Sequence, residues 1–322
     1  MEHRAHPERP GLALSELRKA LEKQTPFTDV FDVLVADLCA YDVVGFQTER
    51  YAHNFLRAVE SFLPGSRVDH RTRRVLRADG HVAHVRHYPI SLDVEATRRV
   101  AASTRARRRG EQLRAGAGDQ VIVRVDRLEP SKNILRGFAA FELLLQRNPR
   151  LRGRVTMLAF LVPSRTGLRE YGDYGRKVQA AVDRINARFG RAGYQHVQLF
   201  YENDYAQALA GLSIADVVLV NPLIDGMNLV AKEAVVVSER DAALVLSETA
   251  GAFDQMADGV LSVAPADIVG TAEAMAEGLA MPREERAERL ARLRVGVERE
   301  DITWWLRRQL RDLATVVDRR SA

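Results

Sequence analysis

Cysteine, lysine and long apolar runs are all scarce in this sequence of 322 residues. Cys39 is the only cysteine, so no internal disulfide can form, and its apolar surroundings in VLVADLCAYDVVGF predict a small buried hydrophobe rather than a nucleophile. The sequence contains no run of about 18 apolar residues, the length that a helix needs to span a membrane. The first residues, MEHRAHPERPG, are not a basic segment followed by an apolar stretch, which argues against a secretory signal and predicts a cytoplasmic protein.

Lysine supplies only five of the 48 cationic side chains, and arginines spread along the chain supply the rest. A net charge of +5 would favour nucleic acid if the cations were clustered on one element. They are dispersed, so we expect no nucleic-acid partner, and an anionic small molecule fits the charge equally well. The densest run, Arg105 to Arg109, is predicted to be a linker or a solvated helix end.

Short apolar runs alternate with longer stretches of helical periodicity, which is the pattern of βα units that feed a parallel sheet. The hydrophobic share of 46% can form a sizeable core, and the length favours two domains. The predicted fold class is therefore α/β. The expected strands are residues 42–47, 84–90, 120–125, 155–162, 197–201, 216–222, 243–247 and 260–264.

A segment rich in Arg, Ala and Gly, from Thr97 to Gly118, marks the expected domain boundary. Residues 1–96 are predicted to form a partial N-terminal domain, because they hold too few strands for a complete nucleotide-type sheet. Residues 97–300 are predicted to form a complete doubly wound domain. Residues 301–322 are expected to form a C-terminal helix that packs back toward the N-terminal domain.

The strongest local signal is QVIVRVDRLEPSKNILRGF, an apolar strand followed by two cations at the head of a helix. Arg127 and Lys132 are thus predicted at the carboxyl end of a parallel strand, where open α/β sheets bind ligands. A helix N-terminus adds partial positive charge at that place. Arginine can hold two phosphate oxygens and lysine acts as a compact charge, so the pair suits a departing diphosphate. A solvated pair of surface cations is the alternative.

The second signal is DVVLVNPLIDGMNLVAKEAVV, an apolar strand that runs through a polar turn into a helix. Gly226 lets the backbone approach a ligand, and the amides after it face whatever lies at the helix start. Asp225 and Glu233 could accept hydrogen bonds from sugar hydroxyls. The alternatives are an N-terminal cap for Asp225, with Gly226 as turn residue, and a solvated ion pair for Glu233.

Six segments occur in a single order: YDVVGFQTERYAHNFL, VDRLEPSKN, the PSR of LVPSRTGLREY, VDRINARFG, NPLIDGMNLVAKE and LVLSETAGA. This order resembles that of the trehalose-6-phosphate synthases, glycosyltransferase family 20, and is most similar to their actinobacterial branch. The resemblance covers roughly residues 35 to 315. It implies a GT-B architecture with two Rossmann-like domains, of which the N-terminal one is incomplete and the C-terminal one holds the nucleotide sugar.

The resemblance implies three catalytic residues. Arg127 and Lys132 match the pair that grips the donor diphosphate and stabilises the leaving group, and Asp225 matches the carboxylate on the donor glucose hydroxyls. The implied reaction is transfer of glucose to glucose 6-phosphate with retention, by attack of the acceptor hydroxyl from the face that the diphosphate leaves. Charge stabilisation dominates such a step. No metal is expected, since the sequence has no Asp-x-Asp or His/Cys cluster.

The remaining implied contacts bind substrates. The amides of Gly226, Met227, Asn228 and Leu229 match the loop that closes on the sugar and phosphate, and Glu233 matches the ribose-binding acid. Arg165, in the PSR motif, matches an arginine that binds the phosphate of glucose 6-phosphate. No cofactor is expected beyond the nucleotide-sugar donor, for which UDP-glucose is the first choice and GDP- or ADP-glucose are alternatives.

The sequence departs from the family before residue 35 and at two later positions. The Gly-rich loop, the acceptor-site aromatics and the His-bearing loop of the N-terminal region are missing, Ile224 replaces a common Arg, and the helix entered at Tyr205 lacks a basic residue. Two other functions therefore stay open, a catalytically silent donor-binding or regulatory partner and a pseudo-glycosyltransferase of the validoxylamine phosphate synthase kind. The expected partners are the two small-molecule substrates, with a homo-oligomer or a completing chain as further alternatives and no membrane.

Overall fold

The computed structural model describes residues 27–321 apart from residues 166 and 192. The described residues form two compact units, residues 27–89 with 306–321, and Ile90–Trp305. The domain bounds predicted from the sequence lie at 96/97 and 300/301, and they stay a prediction. Within the described part, no helix is both long and apolar enough to cross a membrane.

A six-stranded parallel sheet forms the centre of the Ile90–Trp305 unit, with the order β10-β9-β8-β5-β6-β7. All six strands predicted for this region are confirmed, with ends that shift by a few residues. Their continuous apolar runs are typical of parallel strands that are covered on both faces. The strands are β5 Gln120–Arg127, β6 Val155–Val162, β7 Val197–Phe200, β8 Val217–Val220, β9 Ala243–Ser247 and β10 Leu261–Val263.

Helices cover both faces of this sheet, as the predicted α/β class requires. Alternate residues of the central strands enter two separate cores. Val121 and Val123 of β5 face one core, whereas Ile122 faces the other. The helices of this unit are α3 Val94–Ala101, α4 Thr104–Ala115, α5 Ile134–Arg147, α6 Arg169–Phe189, α7 Tyr205–Ser213, α8 Leu229–Val237, α9 Phe253–Met256, α10 Ile268–Ala280 and α11 Arg283–Arg299.

The segment from Thr97 to Gly118, predicted as a boundary, is largely helical and lies inside this unit. Two caps explain the helices, because the side chains of Asp93 and Ser103 accept hydrogen bonds from backbone amides at the starts of α3 and α4. The basic run that begins at Arg105 occupies the first turns of α4, so it belongs to a helix and not to a linker.

The other unit contains a four-stranded sheet with the order β1-β4-β3-β2 and two helices before residue 63. The short hairpin of β2 and β3 is absent from the sequence prediction, because its strands have three residues each and carry several charges. The elements of this unit up to residue 87 are α1 Phe27–Leu38, β1 Val43–Phe46, α2 Glu49–Phe62, β2 Arg67–Asp69, β3 Arg74–Leu76 and β4 Val82–His87.

The last helix, α12 Ile302–Ser321, continues beyond Trp305 into this smaller unit. Within the unit, the Tyr88 hydroxyl donates to Asp312 Oδ2 at 2.8 Å. Cys39 lies in its core with no exposed surface, and burial raises the pKa of the thiol to about 11. The prediction of a small buried hydrophobe at Cys39 is therefore confirmed.

Candidate functional site

Two of the loops predicted to carry chemistry leave neighbouring strands at the same edge of the parallel sheet. β5 ends at Arg127 and β8 ends at Val220, and these two strands pair directly. The loops also contact each other, because the Leu223 amide donates to the Ser131 carbonyl at 2.8 Å. The strand order thus brings together two motifs that lie far apart in the sequence.

The loop after β5 is a tight turn that delivers Lys132 to the head of α5. A short 3-10 helix covers Pro130–Lys132, and Asn133 follows in the left-handed region at φ 57°. The Asn133 side-chain amide donates to the carbonyls of Asn221, at 3.0 Å, and Pro265, at 2.6 Å. This asparagine therefore holds the turn against the ends of two other strands.

A buried arginine on β5 supports the same turn through hydrogen bonds to its backbone carbonyls. Arg124 has no exposed surface and pairs with Asp126 through Nη2 and Oδ2 at 2.8 Å. Its guanidinium also donates to the carbonyls of Lys132 and Ile134, each at 3.3 Å. Burial raises the pKa of Asp126, and the neighbouring Arg124 opposes that rise. This pair was not predicted from the sequence, although an arginine inside the apolar run VIVRV is a visible signal.

Gly137 makes room for this guanidinium on the first turn of α5. A Cβ atom at Gly137 would lie 2.1 Å from Nη1 of Arg124 and 3.1 Å from Oδ1 of Asn221. A Cβ atom essentially never lies 2.1 Å from a nonbonded atom, so a side chain at this position would push Arg124 away from the turn that it supports.

The loop after β8 is held by backbone pairing to the loop after β9. Asp225 forms a bridge with Ala250, and its carbonyl accepts from the Gly251 amide at 3.0 Å. The Met227 carbonyl accepts from the Ala252 amide at 2.7 Å, and the Met227 side chain is buried. These contacts explain why the loop has a defined path although Gly226 is exposed.

Asn228, not Asp225, is the N-cap of α8. It adopts φ 72°, and its Oδ1 accepts from the Ala231 amide at 3.2 Å. Its Nδ2 donates to Asp225 Oδ2 at 3.1 Å, so the carboxylate is oriented by the cap residue. The alternative of Asp225 as a simple helix cap is therefore wrong, and its carboxylate is left to face the loop after β5.

Lys132 and Asp225 meet at this point, although 93 residues separate them in the chain. Lys132 Nζ donates to Asp225 Oδ2, and the two side chains are only 12% and 17% exposed. A cation at the head of a helix and a carboxylate oriented by Asn228 thus share one mostly enclosed position. Neither residue is a freely solvated surface charge.

Arg127 differs from Lys132 in its partner and in its exposure. Its side chain is 61% exposed, and its Nη1 pairs with Oε1 of Glu129 at 2.8 Å. The same carboxylate oxygen accepts from Ser164 Oγ at 2.9 Å. Neither Glu129 nor Ser164 is named as a site residue in the sequence analysis, because an acid two residues from an arginine has no distinctive pattern.

Glu233 lies on α8 one turn after Leu229, as predicted. The hydroxyl of Tyr205, the first residue of α7, donates to its Oε1 at 3.2 Å. Burial raises the pKa of Glu233, and this hydrogen bond opposes the rise. Tyr205 therefore orients the acid on a neighbouring helix, a role that its position at the start of a predicted helix did not indicate.

Arg165 lies on the exposed loop after β6, with φ 45°. Its Cζ is 5.6 Å from the centre of the Tyr171 ring, which is a cation–π arrangement. Its chain neighbour Ser164 contacts Glu129, so the loop that carries Arg165 is attached to the loop that carries Arg127.

The described residues contain no group of three or more His, Cys, Asp or Glu side chains that could hold a metal ion. Cationic side chains, helix starts and oriented carboxylates supply the chemistry at this edge of the sheet. Such a set can hold a phosphate beside a polyhydroxylated group.

A family model described as Glycosyltransferase family 20 matches residues 28–315. Among curated relatives, a bifunctional trehalose-6-phosphate synthase/phosphatase of Thermoproteus tenax is 36% identical over 277 residues, 84% of this chain and 37% of its own length. A trehalose-6-phosphate synthase of Sinorhizobium fredii is 34% identical over 302 residues, 90% of this chain and 62% of its own length. The chain thus spans less than two thirds of these relatives.

Solved structures show the same likeness. An alpha,alpha-trehalose-phosphate synthase (UDP-forming) from Burkholderia xenovorans, in complex with glucose-6-phosphate, superposes with a TM-score of 0.82 at 30% identity, over 90% of this chain and 66% of that one. A trehalose-6-phosphate structure from E. coli bound with UDP-2-fluoro glucose gives a TM-score of 0.81 at 29% identity, over 90% of this chain and 64% of that one.

Proposed function

The chain belongs to glycosyltransferase family 20 and has the GT-B fold of its structural neighbours, and from that premise we propose that it is a retaining hexosyltransferase. In this proposal it transfers glucose from a nucleotide sugar to glucose 6-phosphate and forms trehalose 6-phosphate. The donor is UDP-glucose, with GDP- or ADP-glucose as alternatives. The relatives of similar sequence that are named UDP-forming synthases support this choice of reaction.

The contact between Lys132 and Asp225 is the observation that carries the proposal. In a nucleotide sugar, the diphosphate and the sugar hydroxyls lie on the two sides of the bond that breaks. A site for this molecule needs a cation for the phosphate and, within a few ångströms, a carboxylate for the hydroxyls. The two residues provide this pair, and they neutralise each other when no donor is present.

Arg127 and the start of α5 complete the diphosphate site in this proposal. The guanidinium is largely exposed, so it can turn toward a bound phosphate without disturbing the fold. Negative charge builds up on the diphosphate as the glycosidic bond breaks. Fixed cations and helix amides stabilise that charge, and a preorganised donor of this kind typically contributes about 3 kcal/mol to the transition state. The proposed reaction therefore includes no metal ion and no cofactor.

Glu233 is proposed to bind the ribose hydroxyls of the donor. Its carboxylate is oriented by Tyr205 and lies on α8, which begins at Leu229, where the proposed sugar-binding loop ends. Sugar and ribose contacts thus lie at the two ends of one short segment. Arg165 is proposed to bind the acceptor phosphate. The loop that carries it follows β6, which pairs with β5, the strand that ends at Arg127.

Calorimetric titration of the purified chain with UDP, GDP and ADP tests the proposal. We expect binding of one nucleotide in the micromolar range, and loss of that binding in the Arg127→Ala/Lys132→Ala double variant. The matched control is Arg147→Ala/Lys177→Ala, which removes one Arg and one Lys from the helices α5 and α6 away from the strand ends.

Two outcomes contradict the proposal. Failure of all three nucleotides to bind would refute the donor site, and equal binding by the double variant would refute the role of the two cations. Where one nucleotide binds, its glucose conjugate is then assayed with glucose 6-phosphate. We expect the 322-residue chain to bind the nucleotide far better than it transfers sugar, because it spans less than two thirds of the curated relatives that it matches.

A further inference from the structure

Glu129 is a buried acid between the two cations of the β5 loop, with 8% of its surface exposed. Its Oε1 accepts from Ser164 Oγ at 2.9 Å and pairs with Nη1 of Arg127 at 2.8 Å. The Arg127 side chain is 61% exposed, whereas that of Glu129 is 10% exposed. The anchored carboxylate therefore sets the position of the guanidinium.

The two loops that Glu129 connects leave the sheet side by side. β5 and β6 are parallel, with Arg127 opposite Val162, and the Leu128 amide donates to the Val162 carbonyl at 2.8 Å. Ser164 lies in the loop after this strand end, separated from Val162 only by Pro163, and it precedes Arg165. The Glu129 carboxylate thus joins the loop of the proposed donor-phosphate arginine to the loop of the proposed acceptor-phosphate arginine.

We propose that Glu129 is a positioning residue that acts as the resident counter-ion of Arg127. It pairs with the guanidinium beside the β6 loop and gives up part of that pairing when a diphosphate binds. This inference rests on the proposed function, because it takes Arg127 as a ligand of the donor diphosphate. Carboxylate and phosphate oxygens accept hydrogen bonds from the same N–H groups, so the two anions compete.

The competition gives the sign of the expected effect. Glu129→Gln keeps an oxygen that can accept from Ser164 but removes the negative charge that faces Arg127. A diphosphate then binds near Arg127 without competition from a carboxylate and without repulsion by its negative charge. It therefore binds more tightly. Because solvent screens the exposed guanidinium, we expect about three- to tenfold tighter binding and not a larger gain. Damage to the fold would change the affinity in the opposite direction.

Calorimetry with two probes, UDP and inorganic pyrophosphate, tests this inference on the whole chain. The proteins are the wild type, Glu129→Gln, Arg127→Ala and the combination of both substitutions. The matched control is Glu142→Gln on α5, where a glutamate that is 12% exposed pairs with Arg184 at 3.0 Å and Arg188 at 3.1 Å. It makes the same change of charge and burial away from the β5 loop.

We expect Glu129→Gln to tighten the binding of both probes and Glu142→Gln to leave it within about twofold of the wild type, because the effect of a charge away from the β5 loop is screened by salt. In the Arg127→Ala background, the gain from Glu129→Gln should fall below about twofold, because the guanidinium for which the anions compete is gone. This lack of additivity separates a positioning role from a general effect of charge.

Each contrary result is decisive. Unchanged or weaker binding by Glu129→Gln overturns the inference, and so does an equal gain in the Arg127→Ala background or in Glu142→Gln. If the wild type binds pyrophosphate but none of UDP, GDP and ADP, the proposed function fails while the pyrophosphate titrations still decide the role of Glu129. If neither the wild type nor Glu129→Gln binds pyrophosphate or any of the three nucleotides, both conclusions fail.

Discussion

Replacement of Arg124 by methionine should destabilise the protein and loosen the turn that carries Lys132. The guanidinium has no exposed surface, and methionine fills much of the same volume without its charge. The substitution removes the pairing with Asp126 and the hydrogen bonds to the carbonyls of Lys132 and Ile134. Asp126, whose side chain is 6% exposed, is then left as a buried carboxylate without its cation.

The expected loss follows from that uncompensated charge. Removal of one partner from a buried ion pair typically costs about 3–5 kcal/mol. Burial already raises the pKa of Asp126, and loss of Arg124 raises this pKa further, since the arginine opposes the rise. An acid whose pKa is higher in the folded state favours folding below the unfolded value of about 3.9 and loses that contribution as pH rises through the folded value. Because the pKa of Asp126 is already raised in the wild type, the deficit of Arg124→Met relative to the wild type should grow once the pH exceeds that folded-state pKa.

Urea denaturation from pH 5 to pH 8, followed by circular dichroism, measures this loss. The control is Arg124→Met combined with Asp126→Leu, which removes both charges and should recover most of the stability, as apolar replacements of buried pairs often do. UDP titration of the single variant should show weaker binding, because the Lys132 carbonyl loses its donor. A loss under about 1 kcal/mol that does not change with pH, with unchanged UDP binding, would refute the reasoning.

Three further substitutions should have measurable effects. Gly137→Ala should cost about 1–3 kcal/mol in urea denaturation, the usual range for overpacking, because its Cβ would collide with Arg124. Tyr205→Phe should move the acid limb of UDP binding to higher pH, since the hydroxyl lowers the pKa of Glu233 and ribose binding needs the ionised acid. Lys232→Met should remove a rise in stability between pH 8 and 10.5, because burial lowers the pKa of Lys232 to about 8 and the unfolded chain binds more protons there.

Each of these three predictions has its own control and contrary result. Gly296→Ala, where an added Cβ meets nothing within 4 Å, should be neutral or stabilising, and equal losses at Gly137 and Gly296 would contradict the steric argument. If the acid limb of UDP binding does not move in Tyr205→Phe, the hydrogen bond from the Tyr205 hydroxyl does not lower the pKa of Glu233 as predicted. For Lys232, the wild type is compared with Lys232→Met at each pH, so that other groups cancel, and parallel curves would contradict the lowered pKa.

The parallel sheet was predictable from local sequence because both of its faces are covered. Strands such as Val155–Val162 and Ala243–Ser247 are almost entirely apolar and are bounded by polar turns, so the hydrophobic pattern alone located them. The short hairpin Arg67–Leu76 was missed for the opposite reason. Its strands are partly exposed and charged, and they are stable only because β3 pairs with β4.

The two left-handed asparagines in the loops after β5 and β8 were also not predicted from the sequence. Asn133 and Asn228 both adopt positive φ, and both use their side chains to fix the loops that carry Lys132 and Asp225. Asparagine tolerates this conformation better than most residues, but it does so in many other turns as well. Its presence in a loop therefore does not reveal which backbone groups it will bind.

The sequence by itself determined which residues stand at the ends of the strands, and motif order determined the family to which they belong. Only the tertiary structure decided their partners, Lys132 with Asp225 and Arg127 with Glu129 and Ser164. The physical reason is that these contacts join separate loops. They depend on the placement of β8 on one side of β5 and β6 on the other, and this order is set by the packing of the whole sheet.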